Sequence, residues 1–207
     1  MNTVNPLEQQ LSFLLTADKL KKVLRQSPLT DRSRRENSAE HSWHVALMAM
    51  VLAGYAPAGA DPARVITMLL IHDLVEVDAG DLFVYADEAA QARQADAERA
   101  AADRLFGLLP PAQSDMLRAL WEEFEARVTP DARFARALDR LQPMLINMVT
   151  EGGSWAAHGI TADQVLTKVA LIEDGSAALG DYARDMIARA VGQGLLAPAA
   201  GQEAECQ

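Results

Sequence analysis

Cysteine is nearly absent from this chain of 207 residues, and so is any long apolar run. The one cysteine, Cys206, has no second thiol with which to form a disulfide or a thiolate metal cluster within the chain. The longest apolar runs, VITMLLI and VALMAMVLA, are shorter than the roughly 20 residues that cross a bilayer. The first residues lack the basic stretch and the cleavage site of a secretory signal. We therefore expect a cytoplasmic protein without a membrane partner.

Positive charge is also scarce. The chain has 19 Lys and Arg against 29 Asp and Glu, which gives a formal net charge of −10. Proteins that bind DNA or RNA contact the phosphate backbone with clustered Lys and Arg, so we expect no nucleic acid polymer as a partner. A small anionic substrate remains compatible with this charge, provided that a metal ion or a few arginines supply local positive charge.

What the chain does contain is helical periodicity almost throughout, whereas the alternation typical of strands is weak everywhere. The sequence therefore predicts an all-α fold, a single-domain helical bundle over residues 1–195, followed by a disordered tail over 196–207. Ser38 is a candidate N-cap for one helix. Another helix should begin at Asp61-Pro62 and continue through Glu76.

The side chains that could carry chemistry begin with the histidines, of which there are four. His72 ends an apolar run and stands directly before Asp73, and His41 opens the apolar face of an earlier helix. Asp139 lies among leucines, and Pro143, four residues later, could kink that helix and aim the carboxylate inward. Each residue has an alternative role in structure alone, as a hydrogen-bonded histidine or an acid on a polar stripe.

Together these two imidazoles and two carboxylates form a mixed set of nitrogen and oxygen ligands. Such a set suits one divalent transition metal, and Mn, Co, Fe, Ni and Zn all remain open. A metal with free coordination positions would polarise a phosphoryl oxygen and lower the pKa of bound water.

Three segments, ENSAEHS, HDLVEVDAGDL and ALDRLQPM, resemble in order and spacing the motifs of the HD-domain metal-dependent phosphohydrolases. The resemblance covers roughly residues 20–145. It is closest to the bacterial 5'-deoxynucleotidases and their eukaryotic HD-domain relatives. The resemblance implies a helical domain in which one divalent metal is bound by four residues, namely His41, His72, Asp73 and Asp139.

The resemblance also implies that Glu76 and Asp81 act beside the metal. Glu76 would hold or activate the attacking water and exchange a proton, while Asp81 would orient water or contact the sugar. Glu76 stands four residues after His72, which places both on one face of a continuous helix. Gly80 permits a tight turn that could bring Asp81 over the metal. Asp78 is expected to be solvated and outside the reaction.

Two arginines are the candidate substrate-binding residues. Arg25 corresponds to an arginine that contacts phosphate in the deoxynucleotidases, and Arg35 precedes the helix that carries His41. The family's next residue, a tryptophan near the sugar, is replaced here by Gln26, and the loop to His41 is one residue longer. This departure affects the predicted preference for deoxyribose and leaves the metal chemistry unchanged.

We therefore predict a metal-dependent phosphohydrolase that releases phosphate from a small phosphomonoester, a nucleoside or deoxynucleoside 5'-monophosphate. One alternative is hydrolysis of another nucleotide, a phosphodiester or a polyphosphate, and a second is an HD module that binds nucleotides without catalysis. The resemblance also implies a homodimer.

Overall fold

The computed structural model describes residues 5–199, and within that range helices dominate, as predicted. One exception is a small antiparallel sheet of two strands, which the sequence did not predict. The strands are β1 (Leu24–Pro28) and β2 (Arg35–Asn37). The helices are α1 (Pro6–Ala17), α2 (Ser38–Val51), α3 (Pro62–Ile71), α4 (Glu76–Ala79), α5 (Glu88–Phe106), α6 (Pro111–Ala126), α7 (Pro130–Val149), α8 (Gly153–His158), α9 (Ala162–Gly175) and α10 (Ala177–Gly192).

The start of α2 differs from the prediction by one residue. Asn37, and not Ser38, is the N-cap, and its side chain accepts a hydrogen bond from the backbone N–H of Glu40 at 3.0 Å. The Glu40 carboxylate in turn accepts from the Asn37 N–H at 3.1 Å, which completes a capping box. Ser38 is thereby free to donate its hydroxyl to Glu76, 38 residues further along the chain.

The helix that begins at Pro62 ends earlier than predicted. Asp61 caps it as expected, accepting from the N–H of Ala63, but α3 stops at Ile71. Beyond it the backbone hydrogen bonds span three residues instead of four, from Leu74 N–H to the Ile71 carbonyl and from Glu76 N–H to the Asp73 carbonyl. The single long helix is therefore replaced by a turn between α3 and α4, and the argument that Glu76 lies one helical turn beyond His72 does not apply.

The centre of the bundle is α7, which packs against α2, α3, α6, α9 and α10. Its buried side chains include Phe134 and Leu138, both without exposed surface. Pro143 lies inside this helix. At Gly175, the last residue of α9, a Cβ atom would lie 2.2 Å from the carbonyl oxygen of Arg133, so only glycine permits this approach of α9 to α7. The polar face of α7 then lies where α2 and α3 converge.

The chain beyond α10 remains in contact with the bundle for a short distance. Leu196 is buried, and the Ala197 carbonyl accepts a hydrogen bond from the N–H of Ala162. The rest of the predicted disordered tail, from residue 200, lies outside the described residues. Among residues 5–199, no helix combines the length and the apolar character needed to span a bilayer.

Candidate metal centre

The four predicted metal ligands meet where α2, the end of α3 and the middle of α7 converge. His41 Nε2 lies 3.1 Å from Asp139 Oδ1 and 3.9 Å from Asp73 Oδ2. His72 Nε2 lies 3.1 Å from Asp73 Oδ1 and 3.7 Å from Asp139 Oδ1. Three segments that are distant in sequence therefore bring two imidazoles and two carboxylates close together.

The other ring nitrogens are held by groups outside this point. His72 Nδ1 donates to the backbone carbonyl of Leu69 at 2.7 Å. His41 Nδ1 lies 3.1 Å from Oε1 of Gln142, whose Nε2 donates to Glu36 at 3.0 Å. Such partners fix the orientation of a ligating imidazole and leave its Nε2 for a metal.

One unpaired atom tests whether these residues fit a metal. His72 Nε2 is buried and has no hydrogen-bond partner among the described residues, which is costly for a polar atom unless something binds it. One candidate ligand atom each from His41, His72 and Asp73 lies within 4.8 Å of the others. The arrangement is therefore a possible His/Asp metal site, and no other such group occurs among residues 5–199.

The charges of the site perturb these groups strongly. Burial and Arg25 act to lower the pKa of His41, but neighbouring carboxylates, chiefly Asp139, outweigh them and raise this pKa to about 9. Burial likewise acts to raise the pKa of Asp139, but Arg140 and the bonded His41 hold it well below its usual range. Without a metal, the pair therefore exists as imidazolium and carboxylate.

Beside this pair lie the two predicted catalytic acids, both largely buried. Glu76 accepts a hydrogen bond from the Ser38 hydroxyl at 2.5 Å. Burial, and then repulsion by Asp73, raise the pKa of Glu76 well above its ordinary value. Burial also raises the pKa of Asp81, against the opposing effect of Arg25. Two carboxyl groups with raised pKa values next to a possible metal site are candidates for proton exchange.

Arg25 reaches into this acidic group from β1. Its Nη1 lies 2.9 Å from Asp73 Oδ2 and 3.3 Å from Asp81 Oδ1, and its Nε lies 3.9 Å from Glu36. Burial acts to lower the pKa of Arg25, but these carboxylates outweigh it and raise it. The predicted substrate-binding arginine therefore lines the site while also serving as the counterion of its acids.

Arg35 and Asp78 lie elsewhere. Arg35 is exposed, does not line the cavity described below, and donates from Nε to the carbonyl of Arg25 across the hairpin. Asp78 is exposed and pairs with Arg104 on α5. The structure thus brings six of the predicted residues and Arg25 together, leaves Arg35 outside, and places Asp78 on the surface as expected.

A cavity of about 290 Å³ opens from the metal residues toward α7, α8 and α9. Gln26 lines it, with Oε1 3.2 Å from Nε2 of His158. The sequence did not single out several of the other residues here. They are the fully buried Gln142, which orients His41, and four cations on the cavity wall, Arg127, Arg136, Arg140 and Lys168. The position of Gln142, three residues after Asp139 on the same helix, was the available signal for its role.

The HD domain family model matches residues 17–179 of this chain, which includes every residue of the possible metal site. The chain belongs to the HD domain family. This HD domain protein is 30% identical over 136 residues to the 5'-deoxynucleotidase HDDC2 of Xenopus laevis and 29% identical to that of Homo sapiens. Each match covers 65% of this chain and just under two thirds of the relative, 66% and 65% respectively.

Solved structures resemble the HD domain protein over more of its length. A predicted metal-dependent phosphohydrolase from Magnetospirillum magnetotacticum is 55% identical, with a TM-score of 0.88, over 93% of this chain and 99% of that one. A conserved hypothetical protein from Pyrococcus furiosus is 20% identical with a TM-score of 0.60, covering 86% of this chain and 97% of that one, and shares the fold alone. The predicted family and fold class are confirmed.

Proposed function

We propose that this HD domain protein is a metal-dependent phosphohydrolase that releases phosphate from a (deoxy)nucleoside 5'-monophosphate. The observation that carries the proposal is the buried Nε2 of His72, at one end of a cavity. It lies 3.1 Å from Asp73 Oδ1 and 3.7 Å from Asp139 Oδ1 and forms no hydrogen bond within residues 5–199. The names of the relatives, a 5'-deoxynucleotidase and a metal-dependent phosphohydrolase, support the same reaction class.

The proposed ligands are His41, His72, Asp73 and Asp139, for one divalent metal among Mn, Co, Fe, Ni and Zn. When bound, such a metal polarises the phosphoryl oxygen and lowers the pKa of a water molecule beside it. The outer contacts from Gln142 and Leu69 hold the two imidazoles in the tautomer that leaves Nε2 available.

Glu76 is proposed to hold the attacking water and exchange its proton. Its raised pKa suits this role, because a raised pKa makes a carboxylate a stronger base for the proton of the attacking water. The Ser38 hydroxyl fixes one carboxylate oxygen, so that the other, which lies 3.9 Å from Arg25, points toward the site. Within residues 5–199, only one of the two Glu76 oxygens forms a hydrogen bond, which leaves the other for a water molecule.

Asp81 and Arg25 are proposed to position water and substrate. Arg25 is the cation nearest to the acids and lies where a phosphate oxygen would approach, while Asp81 is held 3.3 Å from it. Arg35 contributes to this arrangement only through its hydrogen bond to the Arg25 backbone, so we propose that it supports β1 and does not contact the phosphate.

The proposed activity is tested by incubating the purified protein with Mn or Co and a panel of nucleoside monophosphates, and measuring the inorganic phosphate released. Each base is supplied as ribose and deoxyribose forms, because Gln26 stands where the deoxynucleotidases have a tryptophan. Release of phosphate that depends on added metal is expected. No release from any of them by protein with bound metal would refute the proposal.

A homodimer and a cytoplasmic location also remain proposals. Light scattering of the purified chain during gel filtration measures the mass in solution, and twice the 22.4 kDa of one chain is expected.

A further inference from the structure

The cavity beside the possible metal site is lined by five cations, and they differ in how their charge is used. Arg25 lies within 4 Å of four carboxylates. Arg136 donates to Glu125 at 2.9 Å and to Asp139 at 3.3 Å. Both of these cations are therefore neutralised by acids of the protein itself.

Arg140 on α7 is compensated only in part. Its Nε is buried and has no hydrogen-bond partner among residues 5–199, and the one carboxylate within 4 Å in that range, Asp139, lies 3.6 Å away. That distance exceeds an ordinary charge-assisted hydrogen bond of about 2.7–2.9 Å, and Asp139 is already shared by His41 and Arg136. About a fifth of the Arg140 side chain, 21%, is accessible, and it lines the cavity. The guanidinium thus lines the cavity, and its Nε has no hydrogen-bond acceptor among residues 5–199.

Lys168 on α9 is the second such cation. It is half-buried, lines the cavity, and forms no ion pair within residues 5–199. Its ammonium lies 5.8 Å from the ring centre of Tyr85. Burial lowers the pKa of Lys168, and the charged groups that add to this effect are Arg140 and Arg127, both cations. A third cation, Arg127, is exposed at the end of α6 and lies 3.9 Å from the carboxylate of Glu125.

The cavity therefore has two electrostatic halves. One holds the carboxylates and imidazoles that suit a metal. The other presents guanidinium and ammonium groups that acids compensate only in part, with Lys168 in no ion pair and Arg140 sharing Asp139 with His41 and Arg136, in a chain whose net charge is −10. Partly buried cations without acid partners are costly unless an anion binds them. Guanidinium and ammonium groups together are the usual ligands of phosphate.

We propose that Arg140 and Lys168 bind a second phosphate of the substrate, one that is not cleaved. This rests on the proposed function, and it narrows the substrate to a nucleoside 5'-monophosphate that carries a second phosphate elsewhere on the sugar. Water would attack the phosphorus at the metal end, the bond from that phosphorus to the leaving oxygen of the sugar would break, and this oxygen would take a proton. The second phosphate would remain on the nucleoside product.

Three nucleotides with the same base test this, namely AMP, ADP and adenosine 3',5'-bisphosphate. With Mn bound, the wild-type protein should hydrolyse the bisphosphate with a kcat/KM at least about tenfold above that of AMP, a difference of about 1.4 kcal/mol. A preference for ADP over both would refute the second phosphate on the sugar. Lys168→Met should reduce the preference about tenfold, and Lys168→Arg should retain it.

Binding of inorganic phosphate to the metal-free protein gives a second readout that needs no turnover. Calorimetry should detect phosphate binding to the wild type, weakened about tenfold in Lys168→Met and unchanged in Lys22→Met, which makes the same substitution at an exposed lysine. The proposal is overturned if AMP is hydrolysed as well as the other two, or if Lys168→Met changes neither the preference nor phosphate binding. A protein that hydrolyses none of the three but binds phosphate through Lys168 would refute the phosphohydrolase and support the second anion site.

Discussion

The substitution Glu76→Gln tests whether Glu76 exchanges a proton during the reaction or has only a structural role. Glutamine has nearly the same shape, and its carbonyl oxygen can still accept the hydrogen bond that Ser38 donates to Glu76 at 2.5 Å. The change removes the exchangeable proton and one negative charge next to Asp73. Because 7% of this residue is exposed, little new contact with water arises.

The expected loss follows from the role assigned to Glu76. General acid–base catalysis contributes about 10²–10⁴ in rate, so kcat should fall about a thousandfold, or about 4 kcal/mol, while KM changes little. A carboxylate that only accepts the Ser38 hydrogen bond would be replaced by glutamine at almost no cost. The raised pKa of Glu76 should also appear as one limb of the pH profile of the wild type, and this limb should be missing in the variant.

The assay is phosphate release under saturating metal, with the metal content of each protein measured beforehand. Asp81→Asn should also lose activity strongly, whereas Asp78→Asn is the matched control, because its exposed pair with Arg104 is worth at most about 1 kcal/mol and lies outside the site. Equal losses in all three variants, or a Glu76→Gln protein within threefold of wild type, would show that the assignment is wrong.

Three further predictions concern His41, Gln142 and Gly175. The pKa of His41 is raised to about 9 in the metal-free protein, so protonated His41 stabilises the folded state fully below pH 6.5, and this contribution is lost as the pH rises through 9. Urea titrations should therefore show the free energy of unfolding fall by about 3 kcal/mol over this pH range in the wild type and not in His41→Gln. Gln142→Leu removes the partner of His41 Nδ1 and should weaken metal binding about 10–100-fold by calorimetry. Gly175→Ala should destabilise by more than about 2 kcal/mol, since its Cβ would meet the α7 backbone, while Gly192→Ala, with open space around it, should be neutral or slightly stabilising; similar values for the two would contradict this.

The cluster of ligands could be predicted from the sequence because each motif carries its own local signal. A histidine and an acid at the end of an apolar run need partners, and the chain contains few other histidines to supply them. The structure places a side-chain oxygen of Asp139 within 4 Å of a ring nitrogen of both His41 and His72. Their role in binding metal stays a prediction until metal is measured in the protein.

The hairpin could not be predicted, because its strands are five and three residues long and lack alternation of polar and apolar side chains. Their stability comes from pairing across the chain, in which Leu24 lies opposite Asn37 and Pro28 opposite Arg35. Without the hairpin, Arg35 appeared to share a loop with the phosphate site. Pairing turns it outward instead, since neighbouring residues of a strand point to opposite faces.

The cations that line the cavity, Arg140 and Lys168 among them, could not be predicted for a different reason. Arg140 and Lys168 stand on α7 and α9, 28 positions apart by their numbering. Arg140 lies in the segment ALDRLQPM, but the resemblance implies a role only for Asp139 there, and Lys168 lies outside all three segments. On a single helix each would be assigned to a solvated face. Only the packing of α9 on α7 encloses both in one cavity, and such tertiary contacts are invisible to periodicity.

The hairpin also makes the positions of its site residues independent of the length of the connection between its strands. The segment between its strands, residues 29–34, is joined at both ends to paired backbone, so the positions of Arg25 and Glu36 are set by the ladder and not by the length of the connection. Residues inserted into such a surface turn add little closure entropy. The extra residue that precedes His41 in this sequence can therefore be absorbed there, which makes this turn a permissive position for evolutionary insertion or for attaching a reporter close to the substrate cavity.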